Sequence, residues 1–194
     1  MLNRQAKVLR SGQIRVVLDH ISRTRHPVRN RVVFLLSLRA GLRAKEIAAL
    51  EWRMVTDAEG NVADAIRLTN AAAKGRSGGV VPMAAEVRSS LEALRQITPG
   101  AIGSARVIRT ERSTATSAQV IINMFQGWYS SLGFDGCSSH SGRRTFITMA
   151  ARNIGRFGGS LRDVQALARH SSLAMTQRYI EIDSEAMKRV VDGW

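Results

Sequence analysis

Apolar positions along this chain recur mostly with a helical period. Between residues 11 and 24, Ile14, Val17, Leu18 and Ile21 fall on one face, which predicts an amphipathic helix with Ser11 as its N-cap. Pro27 opens a second helix, centred on Val32 to Leu38 and closed near Gly41. A third, short helix covers Ala44 to Leu50. The pattern then breaks. The stretch RMVTDAEGNVADAIRLTNAAAKGRSGGVVPM is cut by turn signals at EGN and KGRSGG, and predicts three short strands in a small antiparallel sheet. Helical period returns in AAEVRSSLEALRQI. A Gly-, Ser- and Thr-rich loop over 98–116 follows, carrying Arg106, Arg109 and Arg112. Further helices are predicted in SAQVIINMFQGWYSSLG, GRRTFITMAARNI, SLRDVQALARH, LAMTQRYIEI and EAMKRVVDGW, with Ser160 and Asp163 spaced as a capping box. There is no internal repeat, linker or low-complexity tract. The expected fold is mainly α with a small antiparallel β-sheet (α+β), in one domain spanning residues 1–194.

Charge changes this picture more than composition does. An apolar fraction of 44% is ordinary, but 29 Lys plus Arg against 15 Asp plus Glu leaves a formal +14. Such an excess points to a polyanionic partner. Only four of the cations are lysines, Lys7, Lys45, Lys74 and Lys188. Arginine suits phosphate, because its planar fork offers parallel donors and keeps its proton. The longest apolar run, VVFLL, is far short of a bilayer span, so no membrane partner is expected. The single cysteine, Cys137, fits a reducing compartment. The expectation is a soluble, cytoplasmic, nucleic-acid-facing domain.

Four places hold polar residues that helix propensity does not require. Arg43 follows a glycine stop with Glu46 three residues on, so one helix face carries both. Lys74 sits at the tip of the expected hairpin. His140 and Arg143 share a face at a helix start, where free amide N–H groups also favour anions. Tyr179 follows His170 by nine positions. Each feature also has a plain reading: a surface ion pair, a solvated lysine, a packing tyrosine. Taken together they supply what attack on a phosphodiester needs. Two arginines can clamp the developing charge, histidines or a lysine can move protons, and a phenol beside guanidinium groups can become a nucleophile. No Asp/Glu or His/Cys group has metal-ligand spacing, so no metal is expected.

In order, GLRAKEIAALEW, a lysine, HSGRRTFIT and VQALARHSSLAMTQRYI resemble the catalytic domain of the tyrosine recombinases, or phage integrase family, over about residues 11–190. The resemblance implies that Tyr179 attacks the scissile phosphate, leaving a 3′-phosphotyrosyl link and a free 5′-hydroxyl. Arg43 and Arg143 would hold the phosphate oxygens, Lys74 would protonate the leaving oxygen, and His140 would serve as general acid/base. His170 would donate a hydrogen bond to the phosphate, and Glu46 would support Arg43. Arg76, Arg109, Arg112, Arg144 and Arg169 are candidate DNA contacts. No cofactor or ATP is implied. The partners implied are double-stranded DNA, further copies in a DNA-bound homo-tetramer, and accessory DNA-bending proteins. A C-terminal apolar stripe of Met187, Val190, Val191 and Trp194 is either the candidate tetramer contact or a face packed against the chain's own body, and the expected location is the nucleoid.

Several features depart from the family pattern. The N-terminal core-binding domain is expected to be absent, which reads as an excised catalytic domain or a minimal inverter. The gap from Arg143 to His170 is long, with its extra length assigned to a loop in NIGRFGG. Arg169 stands where the family commonly has glycine. Two other readings stay open: a recombinase-derived DNA-binding regulator without catalysis, and a type IB topoisomerase. Substituting Arg143 by alanine is expected to abolish cleavage at little cost to the fold.

Overall fold

A helix that is apolar on every side has to run through the interior, and VVFLL makes one. In the computed structural model, which describes residues 5–73, 78–111, 113–180 and 191–192, this run is the centre of α2 (Pro27–Arg39). Val32 to Leu36 have no exposed surface. Around α2 pack α1 (Ser11–Ser22), α3 (Ala44–Ala49), α4 (Ala85–Gln96) and α6 (Ser141–Asn153). Each large side chain so buried contributes about 1.5–3 kcal/mol, so packing rather than propensity holds the helix.

The far wall of this core is α5 (Ala118–Ser131), started by Ser117, whose hydroxyl accepts from the Val120 N–H. Its inward face adds Ile121, Phe125, Trp128 and Tyr129. Phe125 contacts Phe34, Trp128 and Tyr129, with ring centroids 6.4, 5.3 and 6.0 Å away. Tyr129 is therefore a core residue.

A smaller core sits beside the first, formed by Ile147, Val164 and Ala168 with Phe146, Ala150, Ile154, Leu161 and Tyr179 around it. It joins α6 to α7 (Leu161–Ala168), against which α8 (Leu173–Gln177) packs. Helix α6 carries the smaller core and packs on α2 of the first. Its close approach to α2 depends on Gly142, where a Cβ would lie 2.5 Å from the Ser37 hydroxyl oxygen.

Four local expectations need correction. Ser11 is the first residue of α1 rather than its cap; Arg10 holds that place, its N–H donating to Gln13 Oε1 at 3.0 Å. The sheet has two strands among the described residues, β1 (Ala65–Leu68) and β2 (Gly79–Pro82), antiparallel with Ile66 opposite Val81. The expected first strand is instead a 3-10 turn at Trp52–Met54 and one isolated bridge, Thr56 with Val62. The backbone donors of Trp52 and Arg53 are taken by the carbonyls of Ala105 and Gly103, so this stretch binds the long loop, not the sheet. NIGRFGG contains a 3-10 turn, Ile154–Phe157, ended by left-handed Gly158. Finally, α8 stops at Gln177, which puts Tyr179 on the turn beyond it.

The predicted capping box of α7 is present, with the Ser160 N–H 2.7 Å from Asp163 Oδ2. The predicted helix EAMKRVVDGW lies outside the described residues apart from 191–192, which are helical. Among the described residues, no helix is long and apolar enough to cross a membrane.

Candidate active site

The site begins with a glycine. Gly41 ends α2 at φ +62°, and a Cβ there would stand 2.5 Å from the Phe146 ring, so the turn needs a residue without one. This places Arg43 as the cap of α3. Glu46, three residues on, has no exposed surface, and its carboxylate accepts from the Arg43 N–H and from Arg43 Nη1, both at 2.8 Å. The third donor is Arg169 Nη2, 2.6 Å from Oε2. Burial pushes the Glu46 carboxyl up, but Arg169 and Arg43 together outweigh it and hold the group below the usual range.

Arg143 lies in the first turn of α6 and is 4% exposed. Its Nη1 donates to the Gly41 carbonyl and its Nη2 to the Ala168 carbonyl, the latter at 2.6 Å. One side chain thus joins the turn before α3 to the end of α7. Burial, followed by repulsion from Arg43, lowers its pKa to about 10, which leaves it cationic at neutral pH. The expectation that Arg143→Ala spares the fold is revised on this ground: two buried carbonyls depend on it.

His140 caps α6, and its N–H donates to the Ser138 hydroxyl at 3.2 Å. His170 stands two residues beyond α7, after Arg169 in a left-handed conformation (φ 52°, ψ 47°). Its ring is buried, with Nδ1 3.0 Å from Thr176 Oγ1, and its backbone is paired both ways with Gln165. Burial first, then Arg143, Arg43 and Arg169, lower its pKa to about 4, so the imidazole is neutral near pH 7. Tyr179 is half-buried. Its ring stacks on His170, and the Arg144 guanidinium carbon lies 5.7 Å from its centroid.

Arg43, His140, Arg143, Arg169, His170 and Tyr179 all line one open pocket of about 1010 Å³. Arg144 and Arg178 reach its rim, and Gly78 and Gly79 bring one arm of the hairpin to it. Three guanidinium groups face a single carboxylate, so the pocket is cationic and suited to a tetrahedral oxyanion beside a phenol. Among the described residues, no group of His, Cys, Asp and Glu is placed to hold a metal ion.

Other candidates fall elsewhere. Arg109 is not brought to the pocket, because its guanidinium donates to the carbonyls of Pro99 and Gly100 at 2.9 and 3.2 Å and pins the long loop. Lys74, Arg76 and Arg112 lie outside the described residues, as do Met187, Val190 and Trp194; Val191 is 72% exposed. Two residues that pattern reading missed are Thr176 and Gln165, which hold His170. Thr176 is a buried polar side chain on α8 and Gln165 a half-buried one on α7, and spacing reveals neither.

The phage integrase family profile matches residues 7–186. A tyrosine recombinase XerC from Rhizobium meliloti (strain 1021) is 30% identical over 166 residues, covering 84% of this chain and 49% of that protein. Its namesake from Brucella melitensis biotype 1 is 28% identical over the same share of this chain and 50% of its own length. The chain thus spans about half the length of the curated relatives it matches. Among solved structures, the Tn1549 transposon integrase in complex with transposon right end DNA superposes with a TM-score of 0.76 at 19% identity, over 98% of this chain and 66% of that one. XerA recombinase gives 0.72 at 19% identity, over 100% and 65%. The profile match over nearly the whole chain, with the order of motifs behind it, shows that the chain belongs to the phage integrase family of tyrosine recombinases.

Proposed function

We propose that residues 1–194 form a catalytic domain that cuts and rejoins DNA strands in site-specific recombination, with Tyr179 as the nucleophile. The Tyr179 oxygen attacks the scissile phosphorus and gives up its proton to His140. The new phosphotyrosyl bond forms as the bond to the 5′-oxygen breaks, and that oxygen takes a proton from Lys74. Arg43 and Arg143 face the non-bridging oxygens. Each Arg143 nitrogen that serves a carbonyl keeps a second proton for the pocket. His170 acts as a neutral donor in the tautomer that protonates Nε2, for which Nδ1 accepts from the Thr176 hydroxyl 3.0 Å away. Attack by another strand's 5′-hydroxyl reverses the sequence, and the ester preserves the bond energy, so the scheme calls for no ATP, metal or cofactor.

The observation that carries this reading is the convergence of Tyr179, both arginines and both histidines on one cationic pocket. Solved recombinases of this fold bound to DNA, such as the Tn1549 integrase and XerH on its difH substrate, support duplex DNA as the partner. Assembly of four copies through the C-terminal stripe, aided by DNA-bending proteins, completes the proposal. The test uses a nicked suicide duplex carrying the cognate site. A denaturation-resistant protein–DNA adduct is expected, absent in Tyr179→Phe. An adduct that survives this substitution sinks the assignment, and relaxation of any supercoiled plasmid without site preference would indicate a topoisomerase.

A further inference from the structure

Among the described residues, Arg169 is the sole non-glycine with positive φ. Glycine makes such a turn without a steric penalty, so an arginine there calls for a reason. Its side chain supplies one. It is 5% exposed and reaches from the end of α7 to α3, where Nη2 meets Glu46 Oε2 at 2.6 Å. Nε and Nη1 are buried without partners, which an apolar residue filling the same space would avoid.

The geometry points to Arg169 as a positioning residue of the anion pocket, acting through Glu46 on Arg43. This rests on the recombinase reading above for its reaction, though not for its anion. The Glu46 carboxylate is divided: Oε1 takes Arg43 Nη1, while Oε2 takes the Arg43 N–H and Arg169. Held from both sides, the carboxylate cannot swing, and the Arg43 guanidinium is fixed with it. The same residue lies between Ala168, whose carbonyl accepts from Arg143, and His170, whose ring lines the pocket. Anchoring Arg169 on Glu46 therefore sets Arg43, Arg143 and His170 in one frame before any ligand arrives. Without the anchor, the α7–α8 turn and α3 are tied across the pocket by Arg143 alone among these contacts.

Orthovanadate, a tetrahedral anion, probes this without DNA. Its binding, read by thermal shift, is compared with the single-turnover rate of adduct formation on the suicide duplex. Arg169→Gly relaxes the left-handed turn, and Arg169→Met keeps the buried stem. Both are expected to weaken vanadate binding and slow adduct formation about tenfold to hundredfold, as a misplaced group does. Arg169→Lys, which keeps a cation within reach of Glu46, should recover part of the loss. Glu46→Gln should lose as much, and the double variant Arg169→Gly/Glu46→Gln no more than either alone. Parent-like vanadate binding in Arg169→Met overturns the proposal. So do losses that multiply in the double variant, or a parent chain that binds no vanadate. A parent that binds vanadate but forms no adduct rejects the recombinase reading and leaves the role of Arg169 standing.

Discussion

The ring of Tyr179 stacks on the imidazole of His170, with centroids 5.5 Å apart and planes 27° from parallel. The histidine stands on the turn after α7, the tyrosine on the turn after α8, and Thr176 of α8 reaches back to His170 Nδ1. Two short helices packed as a pair thus place the phenol and the imidazole together. The nine-residue spacing is the length of chain this arrangement takes.

Thr176→Val tests that linkage. The change keeps the side-chain shape and removes the hydroxyl, leaving His170 Nδ1 buried without its partner. Stability should fall by about 1–3 kcal/mol in urea unfolding. Adduct formation should slow as well, since the imidazole is no longer held to one tautomer. Unchanged stability would mean that the hydroxyl does not hold the ring.

The same imidazole predicts how stability depends on pH. Its pKa is depressed in the fold, to about 4 from 6.5, so protons bind the unfolded chain first as pH falls. The contribution is complete above about pH 6.5 and is lost progressively down to about pH 4. A drop of that size corresponds to about 3 kcal/mol at most. The depressed carboxyl of Glu46 acts in the same direction at lower pH, where carboxylates titrate. Urea unfolding between pH 5 and 6.5 isolates the histidine: the slope there should flatten in His170→Gln. An unaltered slope would place the acid sensitivity elsewhere.

Arg143 carries a structural load along with its proposed chemistry. Arg143→Ala strands the buried carbonyls of Gly41 and Ala168 and opens a gap between α6 and α7. A loss of about 2–4 kcal/mol in unfolding free energy should accompany the loss of adduct. Arg143→Lys keeps a cation but cannot reach both carbonyls in fork geometry, so it should fall between parent and alanine variant in stability. Equal stability of all three proteins would show the carbonyl contacts to be worth nothing.

What could be read from the sequence was local. Arg43 with Glu46, and His140 with Arg143, are i, i+3 pairs at helix starts, so spacing alone puts each on one face; Ser160 with Asp163 is legible for the same reason. The contact of Arg169 with Glu46 spans 123 residues, and no periodicity encodes it. Arg109 shows how charge misleads: the sequence gives a cation in a loop, while the fold turns it back onto that loop's carbonyls. The missing strand failed likewise, because turn signals mark where a strand could begin and end without saying which neighbour takes its donors. The pattern around Tyr179 is helical, but α8 ends two residues before it.

Gly41→Ala tests the turn that presents Arg43. The new methyl group would meet the Phe146 ring at 2.5 Å, on a backbone at φ +62°. Left-handed strain and overpacking together should cost about 2–4 kcal/mol. Adding Phe146→Ala relieves the clash but not the strain, so the double variant should fall short of the sum of the two single losses. Simple additivity in urea unfolding would mean the ring is not what excludes a side chain there.

The other tyrosine serves as an internal control. Tyr129 lies in the main core, its ring stacked between Phe125 and Phe134 with centroids 6.0 and 6.5 Å away, and its buried hydroxyl has no hydrogen-bond partner. Burial pushes that phenol far above its ordinary value, so it cannot supply a phenolate near neutral pH. Tyr129→Phe keeps the ring contacts and removes a polar atom that nothing satisfies. Unfolding free energy should hold or rise, by up to about 1 kcal/mol, and adduct formation should match the parent. A clear loss of stability would reveal a partner for the hydroxyl. A loss of adduct without loss of stability would shift the chemistry away from Tyr179, whose ring alone of the two tyrosines lines the cationic pocket.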